Sequence, residues 1–424
     1  MMKFARSSAQ EAPAADAKAE PHIPPVPRIS IQAFCETPEL AGAVQAAAGD
    51  RRMAKAHVKV QMGGLAAANE AYRSAATPNV IVIEHGSSGD DLISGLDRLS
   101  EVCDSGTKVL VVGRLNDIVL YRELVRRGIS DYIIAPVTPV DVVRAVSSLF
   151  TSPDAEPVGR VIAVVGAKGG VGASAVAHNI AFIIARKFNL DAVVVDLDLP
   201  FGTAGLDFNQ DPPQGIADAV FSPDRVDSAF IDRLLSKCTD HLSLLASPAT
   251  LEREYDFESE AFEPVFDVLR GSVPYVVLDM PHLWTAWAKR ALIGADQVLL
   301  VAAPDLANLR NAKNLFDFVR GARPNDKPPL YLLNQVGVPK RPEIRAADFA
   351  KALEAEPIAT IPFDASLFGT AANNGQMIEE VSAAHKIAET FLAVAKALTG
   401  RAEIKQPKRD LLSPLLAKLR VKRA

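Results

Sequence analysis

Short, unbroken runs of branched apolar residues recur along this chain, each bounded by turn residues and followed by a stretch with helical spacing. They are RISIQAF (28–34), NVIVIEH (79–85), KVLVVG (108–113) and DYIIAP (131–136), then VIAVVG (161–166), DAVVVDLD (191–198), HLSLLAS (241–247), YVVLDMP (275–281), QVLLVAAP (297–304), PLYLLNQV (329–336) and ATIPFD (359–364). A strand that is apolar on successive residues must be buried on both faces, and helices between such strands make parallel crossovers. The chain therefore reads as α/β: a small domain over 28–150, then a larger doubly wound, mostly parallel sheet over 160–400 with at least seven strands. In such sheets ligands sit outside the carboxyl ends of the strands.

The remaining pieces lack that pattern. Residues 1–27, dominated by SSAQEAPAADAKAEPHIPPV, hold too little large apolar surface to offset the entropy of ordering and read as a disordered arm. TSPDAEPVG (151–159) reads as a linker, and 401–424 as a basic, Leu-rich tail. With 46 Lys+Arg against 51 Asp+Glu the net charge is −5, which argues against a chain built to coat DNA. Cys35, Cys103 and Cys238 lie far apart without a CxxC pair and read as reduced thiols of a cytoplasmic protein. No segment has the roughly 20 unbroken apolar residues of a membrane helix. Met1–Ala19 has no apolar core and does not read as a secretory signal.

After VIAVVG comes Ala167-Lys168-Gly169-Gly170-Val171-Gly172-Ala173-Ser174, then the helical AVAHNIAFIIARKF. Glycines at 169, 170 and 172 let the backbone turn its N–H groups inward, and a helix N-terminus adds about half a positive charge there. That combination cradles a di- or triphosphate. The alternative is a degenerate loop kept for packing and dimerisation. Asp196 and Asp198 end one apolar run and Asp279 another, so all three face the same crevice. A hard divalent cation on phosphate asks for one or two such carboxylates, although Asp196 equally suits a cap on the following turn.

These residues resemble the deviant Walker A loop, KGGxGK[ST], of the ParA/MinD ATPases. The resemblance implies ATP and Mg²⁺ as ligands. Lys168 matches the signature lysine that reaches a partner's nucleotide across a homodimer, and Ser174 matches the Mg²⁺-holding hydroxyl. Asp198 matches the switch aspartate that orients attacking water and helps hold metal, and Asp279 the Walker B aspartate. Gly169, Gly170, Val171, Gly172, Ala173 and Ala175 fall among the phosphate-binding positions; Asn334, and Pro362 with Asp364, fall where the family contacts the base. Two positions depart: Ala167 replaces the first glycine and Ala173 the P-loop lysine, which should weaken affinity and turnover. His178 reads as a packing residue rather than a base. Trp284 and Trp287 read either as a partner surface or as filling a groove in the same chain.

Residues 28–150 resemble a response-regulator receiver without its chemistry. The first run ends Phe34-Cys35-Glu36 with one acid, Glu84 takes the phosphoacceptor position and Ala135 the lysine position, so phosphorylation is not expected. A pseudo-receiver ahead of a GAKGGVGAS loop and DLDLPFGTAGLDFN resembles the CpaE/TadZ family of Flp (tight-adherence) pilus assembly. That implies a homodimeric localisation factor with weak or no hydrolysis, placed at a cell pole, which recruits the pilus secretion ATPase and other assembly components. A ParA-like DNA segregation ATPase and a MinD-like membrane-positioning ATPase are the alternatives. For the tail RDLLSPLLAKLRVKRA, a peripheral inner-membrane contact and a solvated basic segment both remain open, with Pro414 interrupting any helix.

Overall fold

A computed structural model of the protein describes residues 22–73, 75–86, 89–104, 106–151 and 158–401. The first unit is a five-stranded sheet of β1 (Ser30–Cys35), β2 (His57–Met62), β3 (Val80–His85), β4 (Lys108–Gly113) and β5 (Asp131–Ile134). Its order is β2-β1-β3-β4-β5 and every pairing is parallel. That is the flavodoxin-like doubly wound order, with helices on both faces. Val80 and Val82 point into one core with Val44 and Val143, while Ile81 and Ile83 point into the other with Leu96 and Leu124. Burial on both faces is why that run is unbroken.

Strand β2 was not among the expected runs. It pairs only with β1, at the edge, and its residues HVKVQM are exposed or half-buried. An edge strand needs no continuous apolar run, and a charge such as Lys59 discourages further pairing there.

The second unit is built on β6 (Arg160–Gly166), β7 (Ala192–Asp196), β8 (Ser236–Lys237), β9 (Leu242–Leu245), β10 (Tyr275–Met280), β11 (Gln297–Ala302), β12 (Leu330–Val336) and β13 (Ala359–Pro362). The order is β13-β12-β11-β6-β10-β7-β9-β8, parallel throughout except that β8 runs antiparallel to β9. All seven expected strands are present, and β8 adds a two-residue eighth. From β6 the chain builds outward through β7 and β9, then returns through β10 and lays β11, β12 and β13 on the other side. The carboxyl end of β6 thus sits where strand order reverses. Val161, Ala163 and Val165 pack on one face of this sheet and Ile162 and Val164 on the other.

Of the expected arm, 1–21 lie outside the described residues, as do 152–157 of the linker and 402–424 of the tail. Residues 22–27 are packed rather than loose: Val26 is 1% exposed and its N–H donates to Arg52 O at 2.7 Å. The two units meet at the turn Arg51–Met53. There Arg51 donates to Asp326 (2.7 Å) and Asp296 (3.2 Å), and Asn325 to Asp50 (3.0 Å). Burial alone would raise the pKa of Asp296; His22, Arg270 and Arg51 around it instead hold that carboxyl well below the usual range.

Candidate functional site

Gly166 ends β6, and a Cβ there would press on Val171 (2.9 Å) and on the carbonyl of Lys168 (3.0 Å), so the turn closes only over glycine. Gly170 (φ 79°) and Gly172 (φ 81°) take the left-handed conformation that side chains disfavour. Gly172 is the N-cap of the helix Ala173–Phe188 and provides no side-chain cap. The first-turn N–H groups of a 16-residue helix are thus left for an external acceptor. Space around Gly169 and Gly170 is open.

The outer side of the loop is held by amides. Ala167 N donates to Val301 O (2.8 Å), Asn311 Nδ2 to Ala167 O (3.0 Å), Asn334 Nδ2 to Val171 O (2.8 Å) and Gln335 Nε2 to Gly170 O (2.9 Å). Asn334, expected beside a base, is 5% exposed and braces the loop. Pro362 ends β13, and the Asp364 side chain caps the helix Ala365–Asn374 through Leu367 N (2.9 Å). Lys168 is exposed on the loop, whereas Ala173, Ser174 and Ala175 are half-buried in the first turn.

The carboxylates divide by environment. Asp196 is fully buried at the end of β7; Oδ1 accepts from Asp198 N (3.1 Å), and Oδ2 from Ala204 N (3.2 Å) and Ser247 Oγ (3.1 Å). It organises its turn, in keeping with the capping alternative, and burial plus the Asp279 charge raise its pKa. Asp198 is half-buried and accepts from Phe201 N (3.3 Å); burial raises its pKa as well. Asp279, 3% exposed near the end of β10, has Oδ2 beside His178 Nε2 (3.2 Å) in an ion pair not aligned as a hydrogen bond, and Oδ1 has no protein partner.

His178 is buried, as expected of a packing residue, but it is not apolar filler. Its Nδ1 lies 2.7 Å from Asp207 Oδ2. Burial depresses its pKa, yet the Asp207 and Asp279 carboxylates more than offset this and raise it. Asp207 was not singled out from the sequence. The available signal was His178 itself, set in the wholly buried stretch Val176–Ala185, where a polar ring needs partners.

The orphaned Asp279 Oδ1 fits a hydrated cation. Mg²⁺ is such an ion, usually held by one or two carboxylates together with phosphate oxygens.

In the smaller unit Glu84, 4% exposed, points inward: Oε2 accepts from Glu36 N (2.7 Å) and Thr37 N (2.8 Å), and Oε1 from Thr37 Oγ1 (2.7 Å). Of the two tryptophans, Trp287 is buried against Phe262 at 4.7 Å, filling its own chain. Trp284 is 49% exposed and lines a cleft of about 360 Å³ beside Gly166 and Ala167.

The AAA domain family model matches residues 159–331. The septum site-determining protein MinD of Synechocystis sp. is 28% identical over 154 residues, 36% of this chain; the chain spans 56% of that relative's length. The crystal structure of a ParA family ATPase from Chlorobium tepidum is 25% identical, with 57% of this chain and 98% of that one covered and a TM-score of 0.50. A pilus assembly protein CpaE from Caulobacter crescentus is 46% identical, with 31% of this chain and 100% of that one covered and a TM-score of 0.30. The parallel sheet and the glycine loop at its reversal point are those of the P-loop ParA/MinD class. The chain belongs to the CpaE-type branch of the ParA/MinD superfamily.

Proposed function

We propose that this protein is an ATP-binding localisation and assembly factor of a Flp (tight-adherence) pilus secretion system, acting as a nucleotide-dependent homodimer with weak or no hydrolysis. The observation that carries the nucleotide reading is the uncapped helix N-terminus behind Gly169–Gly172, on the same sheet edge as the unpartnered oxygen of Asp279. Backbone N–H groups of 169–175 would hold the phosphates. Ser174, Asp198 and Asp279 would hold Mg²⁺, which supplies charge neutralisation on the phosphate oxygens. Asn334, Pro362 and Asp364 would flank the base. Lys168, exposed on the loop, is free to serve a partner protomer's nucleotide, and Ala173 leaves the loop one ammonium short, which favours holding over turnover.

The pilus reading rests on the 46% identity to a pilus assembly protein. It assigns the unit over 28–150 to docking or localisation, the unit over 160–400 to nucleotide-controlled dimerisation, and the pilus secretion ATPase and other assembly components as partners. No described helix is long and apolar enough to cross a membrane. The proposed location is cytoplasmic, at a pole and peripheral to the inner membrane, with the tail as the contact.

Isothermal titration with ATP and ADP, with mass followed by light scattering, tests this. ATP with Mg²⁺ should bind and double the mass. Lys168→Ala should lose about tenfold in affinity, the scale of one charge-assisted hydrogen bond, and Ala173→Lys should gain affinity or turnover. Absence of ATP binding by the parent protein and by Ala173→Lys alike would overturn the nucleotide reading.

A further inference from the structure

We propose that His178 and Asp207 are positioning residues for the metal side of the nucleotide site: together they hold the Asp279 carboxylate with one oxygen engaged and the other free, and tie it to the segment carrying Asp198. The inference rests on the nucleotide reading above and deepens it.

Three parts of the chain converge on one imidazole. His178 belongs to the helix Ala173–Phe188, whose N-terminus forms the loop. Its Nε2 faces Asp279 Oδ2 at 3.2 Å, near the end of β10, and its Nδ1 donates to Asp207 Oδ2 at 2.7 Å. Asp207 closes the short helix Ala204–Asp207, and the neighbouring Phe208 ring lies 5.4 Å from the imidazole. The stretch between β7 and this helix is therefore pinned at both ends, by Asp196 to Ala204 N and by Asp207 to His178. Asp198 lies between the pins.

A packing role alone does not explain the arrangement. Apart from Asn179, the neighbours of His178 in Val176–Ala185 are buried apolar residues, and an apolar side chain there would avoid the desolvation of a polar ring. A buried polar ring is tolerated where polar partners face it. Here both ring nitrogens face carboxylates, and the oxygen left without a partner is Asp279 Oδ1, on the residue matched to the metal. The pattern is that of an outer shell: a ligating carboxylate oriented through its second oxygen by a group that is itself oriented by another carboxylate. Such outer-shell partners typically matter by about 10- to 100-fold in metal affinity.

The test measures ATP affinity of the full chain by isothermal titration, once in Mg²⁺ and once in EDTA, for the parent protein, His178→Gln, Asp207→Asn and the conservative Asp207→Glu. The Mg²⁺-dependent gain in affinity should fall by about 10- to 100-fold in His178→Gln and Asp207→Asn, with affinity in EDTA little changed and Asp207→Glu restoring part of the gain. If folded variants keep the parent's gain, or lose affinity equally in Mg²⁺ and EDTA as a general structural defect would dictate, the inference is overturned. Asp207 is 22% exposed, so Asp207→Asn keeps the test open should His178→Gln fail to fold. A parent protein that binds no ATP in either condition removes the nucleotide reading and this inference together; one that binds with a clear Mg²⁺ gain isolates the inference.

Discussion

Asp296 joins the two units, and Asp296→Asn removes its charge while keeping its shape. Its Oδ1 lies 3.2 Å from Arg51 Nη1 and 3.3 Å from His22 Nε2, while Oδ2 accepts from Arg270 Nη1 (2.8 Å) and from Val161 N (2.9 Å), at the start of β6. The Asp296 side chain is 5% exposed and those of Arg51 and Arg270 are 8% and 9%, so water screens little of this. Removing one member of a buried ion pair leaves its partners charged and uncompensated, at about 3–5 kcal/mol. Arg51→Met should cost less, about 1.5–3 kcal/mol, because Asp326 keeps Arg52 and Arg323, and Asp296 keeps Arg270. Urea unfolding followed by tryptophan fluorescence reads both, since Trp287 is buried and lines the groove between the units together with Arg51 and Arg270. A loss below about 1 kcal/mol for Asp296→Asn, or a larger loss for Arg51→Met, would refute this account of the interface. The pH dependence follows with a definite sign. A carboxyl whose folded pKa lies below its unfolded value of about 3.9 contributes fully above that pH, and its contribution fades as pH falls further. Between pH 7 and pH 3 the parent should therefore lose stability more steeply than Asp296→Asn.

Gly202→Ala should destabilise by about 1–3 kcal/mol, because a Cβ there would overlap Ser247 Oγ and the Asp196 carboxylate. It should also weaken ATP binding by moving the Asp198 turn; unchanged melting and titration would show that this turn has room to give. Glu84→Ala strips acceptors from Glu36 N, Thr37 N and the Thr37 hydroxyl, and should cost about 1–3 kcal/mol in thermal or urea unfolding. The parent protein should take no label from a small phosphodonor such as acetyl phosphate, since Glu84 is already engaged by three donors; covalent labelling at Glu84 by mass spectrometry would reverse that reading.

Much of the framework could be read from residues a few positions apart. Val80–Ile83 and Val161–Val165 are apolar at every step because both faces of their strands are covered, and that demand is met within one run of chain. The glycine turn after β6 and the carboxylates at the ends of β7 and β10 follow from the same local logic: a strand end, a turn, a polar residue facing the crevice. Strand β2 escaped because an edge makes no such demand, and β8 because two residues carry no period.

Where side chains meet depends instead on how distant segments return. Asp207 lies 29 residues from His178, and Asp296 lies 245 from Arg51. Nothing local names the partner in either pair, since an acid and a base at such separations are as compatible with solvent as with each other. Asn334 shows the limit within the site: its identity and its place near the end of a strand were legible, but that its amide braces the Val171 carbonyl followed from the packing of β12 beside the loop. Local pattern was enough to write the strands covered on both faces and the glycine turn, because burial acts on each residue through its own chain neighbours. The charge partnerships that join the units and orient Asp279 arose when the folded sheet brought remote residues into a low-dielectric interior, where an ion persists only beside its counterpart.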